Sequence, residues 1–155
     1  MQAYLLDDRN VIWQTVEAIG AQIFVLAIDD ARGIVDVLIR FHPNTPGKLH
    51  RHTCDFSTFV LQGELQFWRP DGALKEVRPT GSYVQVAANG EPHSEGAGDQ
   101  AAIVLFSFRG ASGDMIQYLD TTGDVSIRLG FSDFKATLAH QIATGATAKL
   151  RARAA

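Results

Sequence analysis

The chain is nearly without cysteine: Cys54 is the one thiol in 155 residues. A lone thiol excludes an internal disulfide, which fits a reducing, cytoplasmic setting or indifference to redox state. A cationic leader is missing, and so is any apolar run long enough to span a bilayer, so neither secretion nor a membrane partner is expected. Basic charge is not in excess either. A formal net charge of -3 and a pI near 5.9 argue against nucleic acid as a partner, because phosphate-binding domains present a net basic face. The one basic cluster, Lys149, Arg151 and Arg153, falls in an alanine-rich end whose simplest reading is a solvated tail. No internal repeat is visible, and 46% hydrophobic residues suit one ordinary globular domain.

What is present is a series of short apolar stretches separated by turn residues. Gln22 to Ile28, Asp29-Asp30-Ala31-Arg32-Gly33 and Ile34 to Phe41 read as a hairpin, with Gly33 supplying the turn. Further strands are expected at Thr58 to Leu61, Glu64 to Trp68, Lys75 to Val77, Tyr83 to Val86, Ala101 to Phe108 and Met115 to Leu119. Only the end reads as helical: Ser132 is placed to cap a helix in which Phe134, Leu138 and Ile142 recur every four residues, and Gly145 to stop it. Many short strands and one terminal helix predict an all-β antiparallel sandwich or barrel. Val11, Ile12 and Trp13 fit an edge strand or an arm over a neighbouring subunit.

The most informative stretch is His50-Arg51-His52, followed by Thr58-Phe59-Val60-Leu61-Gln62 and Gly63. In an extended strand, residues i and i+2 project from one face, so both imidazoles converge as a shared metal ion requires. Five histidines scattered at random would give such a pair in roughly one chain in six, so context must carry the reading. A polar strand at a barrel mouth is the competing explanation. By the same pleat, Phe56, Thr58 and Val60 face inward and Asp55 outward.

Taken with their surroundings, these residues resemble the cupin superfamily, whose first motif runs glycine, five residues, His-x-His, three or four residues, glutamate, six residues, glycine. Here Asn44, His50-Arg51-His52, Phe56 and Gly63 fall at those spacings. Asn44 is the mild departure, since asparagine best replaces glycine where φ is positive. Phe56 is the serious one, because it stands where the glutamate ligand belongs. The second motif is met by Gly81-Ser82-Tyr83-Val84-Gln85-Val86, with Ala87 for the usual proline and His93 one residue late.

The resemblance implies a cupin-type jelly-roll barrel with a short C-terminal helix: one domain over 1–155, barrel core about 22–120, helix about 132–145 and tail 146–155. It implies a divalent metal on His50, His52 and His93. Glu95, two residues beyond His93, is the first carboxylate to test as a fourth ligand, and Cys54 is a minor candidate. His42 and His140 are assigned to surface or packing, although His93 itself also reads as a plain loop histidine. Loss of the first-motif glutamate, together with Phe106-Ser107-Phe108 and Tyr118-Leu119-Asp120-Thr121-Thr122-Gly123, is similar to three-histidine diketone-cleaving dioxygenases of the acetylacetone type and to 2,4'-dihydroxyacetophenone dioxygenases.

That kinship implies an oxygen-dependent C–C cleavage on Fe(II), with Zn, Ni and Mn as alternatives. Three imidazoles leave the ion its full charge for an enolate. Phe56, Thr58, Arg40, Tyr83 and Phe106 are expected around a small-molecule substrate, Phe59, Phe67, Phe108 and Trp68 are expected to build core and pocket with them, and Gln62 is a further polar candidate. A homodimer or homotetramer is expected. A non-catalytic metal- or ligand-sensing cupin, or a zinc-dependent isomerase or hydrolase, are the other readings.

Overall fold

A computed structural model describes residues 5–146. Twelve strands precede one helix: β1 (Gln14–Val16), β2 (Ala21–Asp29), β3 (Ile34–Phe41), β4 (His50–His52), β5 (Asp55–Gln62), β6 (Glu64–Trp68), β7 (Leu74–Pro79), β8 (Tyr83–Val86), β9 (Ser94–Ala97), β10 (Ala102–Arg109), β11 (Asp114–Leu119), β12 (Val125–Gly130) and α1 (Phe131–Ala143). They form a six-stranded sheet in the order β1-β2-β3-β10-β5-β8 and two three-stranded sheets, β12-β11-β4 and β7-β6-β9. This is an all-β jelly roll with a C-terminal helix. Among the described residues no helix is long and apolar enough to cross a membrane.

Alternation decides which side chains fill the space between the sheets. Val25, Val35, Val37, Val60, Val104, Phe106 and Phe108 of the large sheet are fully buried, and meet Leu65 and Phe67 on β6 and Met115 and Ile116 on β11 in one core. Each such side chain contributes about 1.5–3 kcal/mol by leaving water. Phe56, Thr58 and Val60 point inward and Asp55 outward, as the pleat requires. Phe59 alternates the other way and is exposed beside its cross-strand neighbour Tyr83 on the outer face.

Two turn positions show why the sequence spends particular residues there. Gly63 has φ +68, and a Cβ would lie 2.7 Å from the Ala101 carbonyl oxygen, so both conformation and space demand glycine between β5 and β6. Asn44 takes φ +52, the left-handed conformation anticipated for a glycine substitute.

The helix departs from expectation. It begins at Phe131, and the Gly130 amide donates to the Asp133 carboxylate at 2.7 Å, so Ser132 lies inside the first turn and is not the cap. Phe134 is buried and Leu138 half-buried, but Ile142 is 57% exposed. Four-residue spacing advances about 400° around a helix, so each step drifts about 40° and the third member leaves the buried face. Gln141, seven residues after Phe134, occupies that face instead. The strands also extend past the 22–120 core, from Gln14 to Gly130. Apart from Ala146, the tail with its Lys149, Arg151 and Arg153 lies outside the described residues.

Candidate metal centre

The short strand β4 is held on both sides. It pairs with β11, placing Ile116 opposite His52 and Tyr118 opposite His50, and an isolated bridge joins His50 to His93. β9 follows at once and pairs Glu95 with Phe67 on β6, while the Gly47 amide donates to the Glu95 carbonyl at 2.9 Å. The backbone thus carries four side chains to one place. One ligand atom from each of His50, His52, His93 and Glu95 lies within 4.8 Å of the others.

Hydrogen bonding aims these groups inward. Nδ1 of His50 is 2.8 Å from the Lys48 carbonyl oxygen, and Nδ1 of His93 is 3.1 Å from that of Glu91. With those nitrogens protonated, both Nε2 lone pairs are left for an ion, the arrangement that outer hydrogen bonds impose on ligating histidines. Nε2 of His50, both ring nitrogens of His52, Nε2 of His93 and Oε2 of Glu95 are buried without a hydrogen-bond partner. Leaving so many polar atoms unpaired is costly, and a divalent cation would take one from each of the four residues. The residues present therefore fit a metal.

Charge is finely balanced in this pocket. Burial pushes the Glu95 carboxyl up, but the close His50 imidazole, with His52 and His93 beside it, outweighs that and holds the group at about 2. Burial opposes protonation of His50, yet the Glu95 carboxylate 3.4 Å away raises it above the ordinary histidine value. Burial, with His50 adding to it, lowers His52 well below that value. His93 is also lowered, chiefly by burial. A carboxylate therefore does belong to this group. It comes from β9 instead of position 56 and is Glu95, the residue the sequence offered as a fourth ligand beside the three imidazoles.

Two cavities flank the group, and His52 borders both. The inner one lies between the sheets against Ile23, Ile39, Phe106 and Ile116, and also meets His50, Glu95 and Tyr118. The outer one, about 120 Å³, is lined by Phe56, Phe67, Arg78, Glu91 and His93 among others. Phe56 packs its ring 4.0 Å from that of His52, centroid to centroid. Thr58 is fully buried and accepts a hydrogen bond from Arg78 at 2.9 Å.

Arg40 and Tyr83 are not brought here. Arg40 lies on the outer face of β3, where it binds Asp8 at 2.9 Å and Gln22 at 2.7 Å and stacks over Trp13. Tyr83 is 56% exposed at the sheet edge. Gln62 accepts from the Leu6 amide and donates to the Ala101 carbonyl, so it anchors the N-terminal segment. Burial pushes the Cys54 thiol up to about 11, and Cys54 stands in the core apart from the four-residue group. His42 and His140 are exposed.

Two residues at the cavities were given no site role from the sequence, although Tyr118 opens one of the runs that carry the resemblance. Arg78 is buried; Glu76 binds its guanidinium through both carboxylate oxygens, and the Phe67 ring lies 4.3 Å below it. Tyr118 is buried 5.2 Å from the His50 ring, and burial, with Glu95 adding to it, keeps its phenol protonated.

The sequence matches the ChrR cupin-like domain family over residues 1–113. The chain belongs to that family. This cupin resembles an RmlC-like cupin from Ralstonia eutropha (TM-score 0.69, 18% identity, covering 94% of this chain and 90% of that one). It also resembles an acetylacetone dioxygenase from Acinetobacter johnsonii (0.67, 14%, 90% and 92%). A third likeness is to the polyketide cyclase RemF from Streptomyces resistomycificus (0.58, 20%, 97% and 99%). Likenesses at such identities establish the cupin's fold and no more. Among curated proteins, none matches the sequence.

Proposed function

We propose that this cupin is a non-haem Fe(II) dioxygenase that cleaves a C–C bond in a small β-diketone or hydroxy-ketone, with the metal on His50, His52, His93 and Glu95. The observation that carries the reading is the set of buried, unpartnered Nε2 and carboxylate atoms facing one point. Four protein ligands would complete a tetrahedral zinc site but leave a six-coordinate ion two open positions. When bound, Fe(II) supplies the Lewis acidity that favours an enolate and the reducing power that dioxygen chemistry needs. The shared fold of the Acinetobacter johnsonii acetylacetone dioxygenase supports the same choice.

The chain's own residues do the positioning. The Lys48 and Glu91 carbonyls fix the tautomers of His50 and His93. Phe56 and Phe67 wall the outer cavity with aromatic surface that excludes water from the substrate. Arg78 spends three of its five N–H groups on Glu76 and Thr58, which leaves donors for a ketone oxygen. Glu95 cancels one unit of the ion's charge, so a singly charged enolate would complete neutrality.

Oxygen-electrode measurements on protein reconstituted anaerobically with Fe(II) test the reading, with pentane-2,4-dione as substrate. One dioxygen consumed per diketone, with release of a carboxylic acid, is the expected result. Iron-loaded protein that takes up no oxygen with β-diketones or hydroxy-ketones would sink it.

A further inference from the structure

The two cavities beside the metal group differ in kind. The outer one carries Lys75, Glu76, Arg78 and Glu91 around its lining, a polar mouth suited to a ketone. The inner one is walled by Ile23, Ile39, Phe106, Ile116, Leu129 and Phe134. Its side-chain polar groups are His50, His52, Glu95 and Tyr118, with exposed Lys48 marking the end nearest the surface. Three of those four belong to the metal group and each turns a free atom onto the ion once it is bound. What remains is apolar wall, one phenol and the second ring nitrogen of His52.

We propose that the inner cavity is a dioxygen pocket, separate from the chamber that takes the organic substrate. The proposal rests on the oxygenase reading above. Size is the first argument: the cavity leaves about 20 Å³ for the centre of a water-sized sphere, enough for one molecule of that girth and too little for a diketone. Polarity is the second. Water held there would find few of the two to four partners it needs, whereas an apolar diatomic loses nothing by leaving solvent. Position is the third, since the pocket meets the metal group at His50, His52 and Glu95, whereas the polar mouth meets it at His52 and His93. Substrate and gas would then reach the metal through separate cavities, without competing for one entrance.

Xenon under pressure, an apolar probe of suitable size, tests the site independently of turnover. Crystals or 129Xe NMR of the metal-loaded protein should show one xenon among Ile39, Phe106 and Ile116. Ala21→Val, which adds bulk to the same lining at modest cost to the core, should abolish that xenon and raise the KM for dioxygen several-fold. The diketone KM and the metal content should be unchanged. If Ala21→Val does not fold, Ile116→Phe provides the same reading from β11. Absence of xenon from this cavity in protein that still cleaves the diketone would overturn the pocket alone. So would a filled cavity that shifts the diketone KM and leaves that for dioxygen untouched. Bound xenon without any oxygen uptake would instead overturn the enzymatic reading, and the assignment to dioxygen with it.

Discussion

His50 and His93 exchange both backbone hydrogen bonds, each amide nitrogen lying 2.9 Å from the other's carbonyl oxygen. That bridge fixes the separation of their rings, 4.8 Å between centroids, without help from the imidazoles themselves. Main-chain pairing sets the two ligands side by side.

Ligand substitutions should accordingly unload the metal and spare the fold. Glu95→Gln keeps the shape of the side chain and removes its charge, so metal per chain, measured by mass spectrometry after gel filtration, should fall at least about tenfold at limiting metal. Circular dichroism should be unchanged. Full metal occupancy in this variant would place the anionic ligand elsewhere.

Metal addition should stabilise the chelated protein. At a thousandfold excess over Kd the gain is about 4 kcal/mol, visible as a rise of several degrees in Tm and reversed by EDTA. His52→Ala should erase most of the shift. An equal shift in that variant would show that the ion binds outside the four-residue group.

Phe56 stands 3% exposed between His52, Phe106 and Phe108. Phe56→Ala should therefore cost about 3–5 kcal/mol in urea denaturation, the usual range for removing a large buried ring. A loss under about 1 kcal/mol would mean that the core closes over the space.

Gln141 clamps the large sheet to the helix: its side chain accepts from the Val25 amide and donates to the Val25 carbonyl, both at 2.8 Å. Gln141→Ala leaves two buried backbone groups unpaired and should cost about 2–4 kcal/mol. Oxygen uptake per bound metal should be unchanged. A neutral result would mean that water replaces the amide.

These residues also show how far sequence reasoning reaches. The pleat and the turn residues located the β2–β3 hairpin and gave β6 and β8 their observed limits, because alternation and glycine are local signals. The first-motif spacing found the histidine pair for the same reason. Glu95 was harder, since Ser94-Glu95-Gly96-Ala97 has none of the apolar alternation of a strand. Gly96 is small because a Cβ would stand 2.8 Å from the Thr45 carbonyl oxygen, a long-range constraint that no local pattern records. Arg40 misled for the opposite reason. A polar residue in an apolar strand reads as functional until its partner Asp8 is seen folding back from the N-terminal segment.

His52 forms part of the wall between the two cavities as well as a corner of the metal group. Truncating it would open a passage from the polar mouth into the interior, so an alanine there is a leak as much as a lost ligand. Free imidazole supplied in the buffer would fill that hole, restoring the partition and the nitrogen donor in one act of chemical rescue. Deletions of His50 or His93, which border one cavity each, would leave the partition standing.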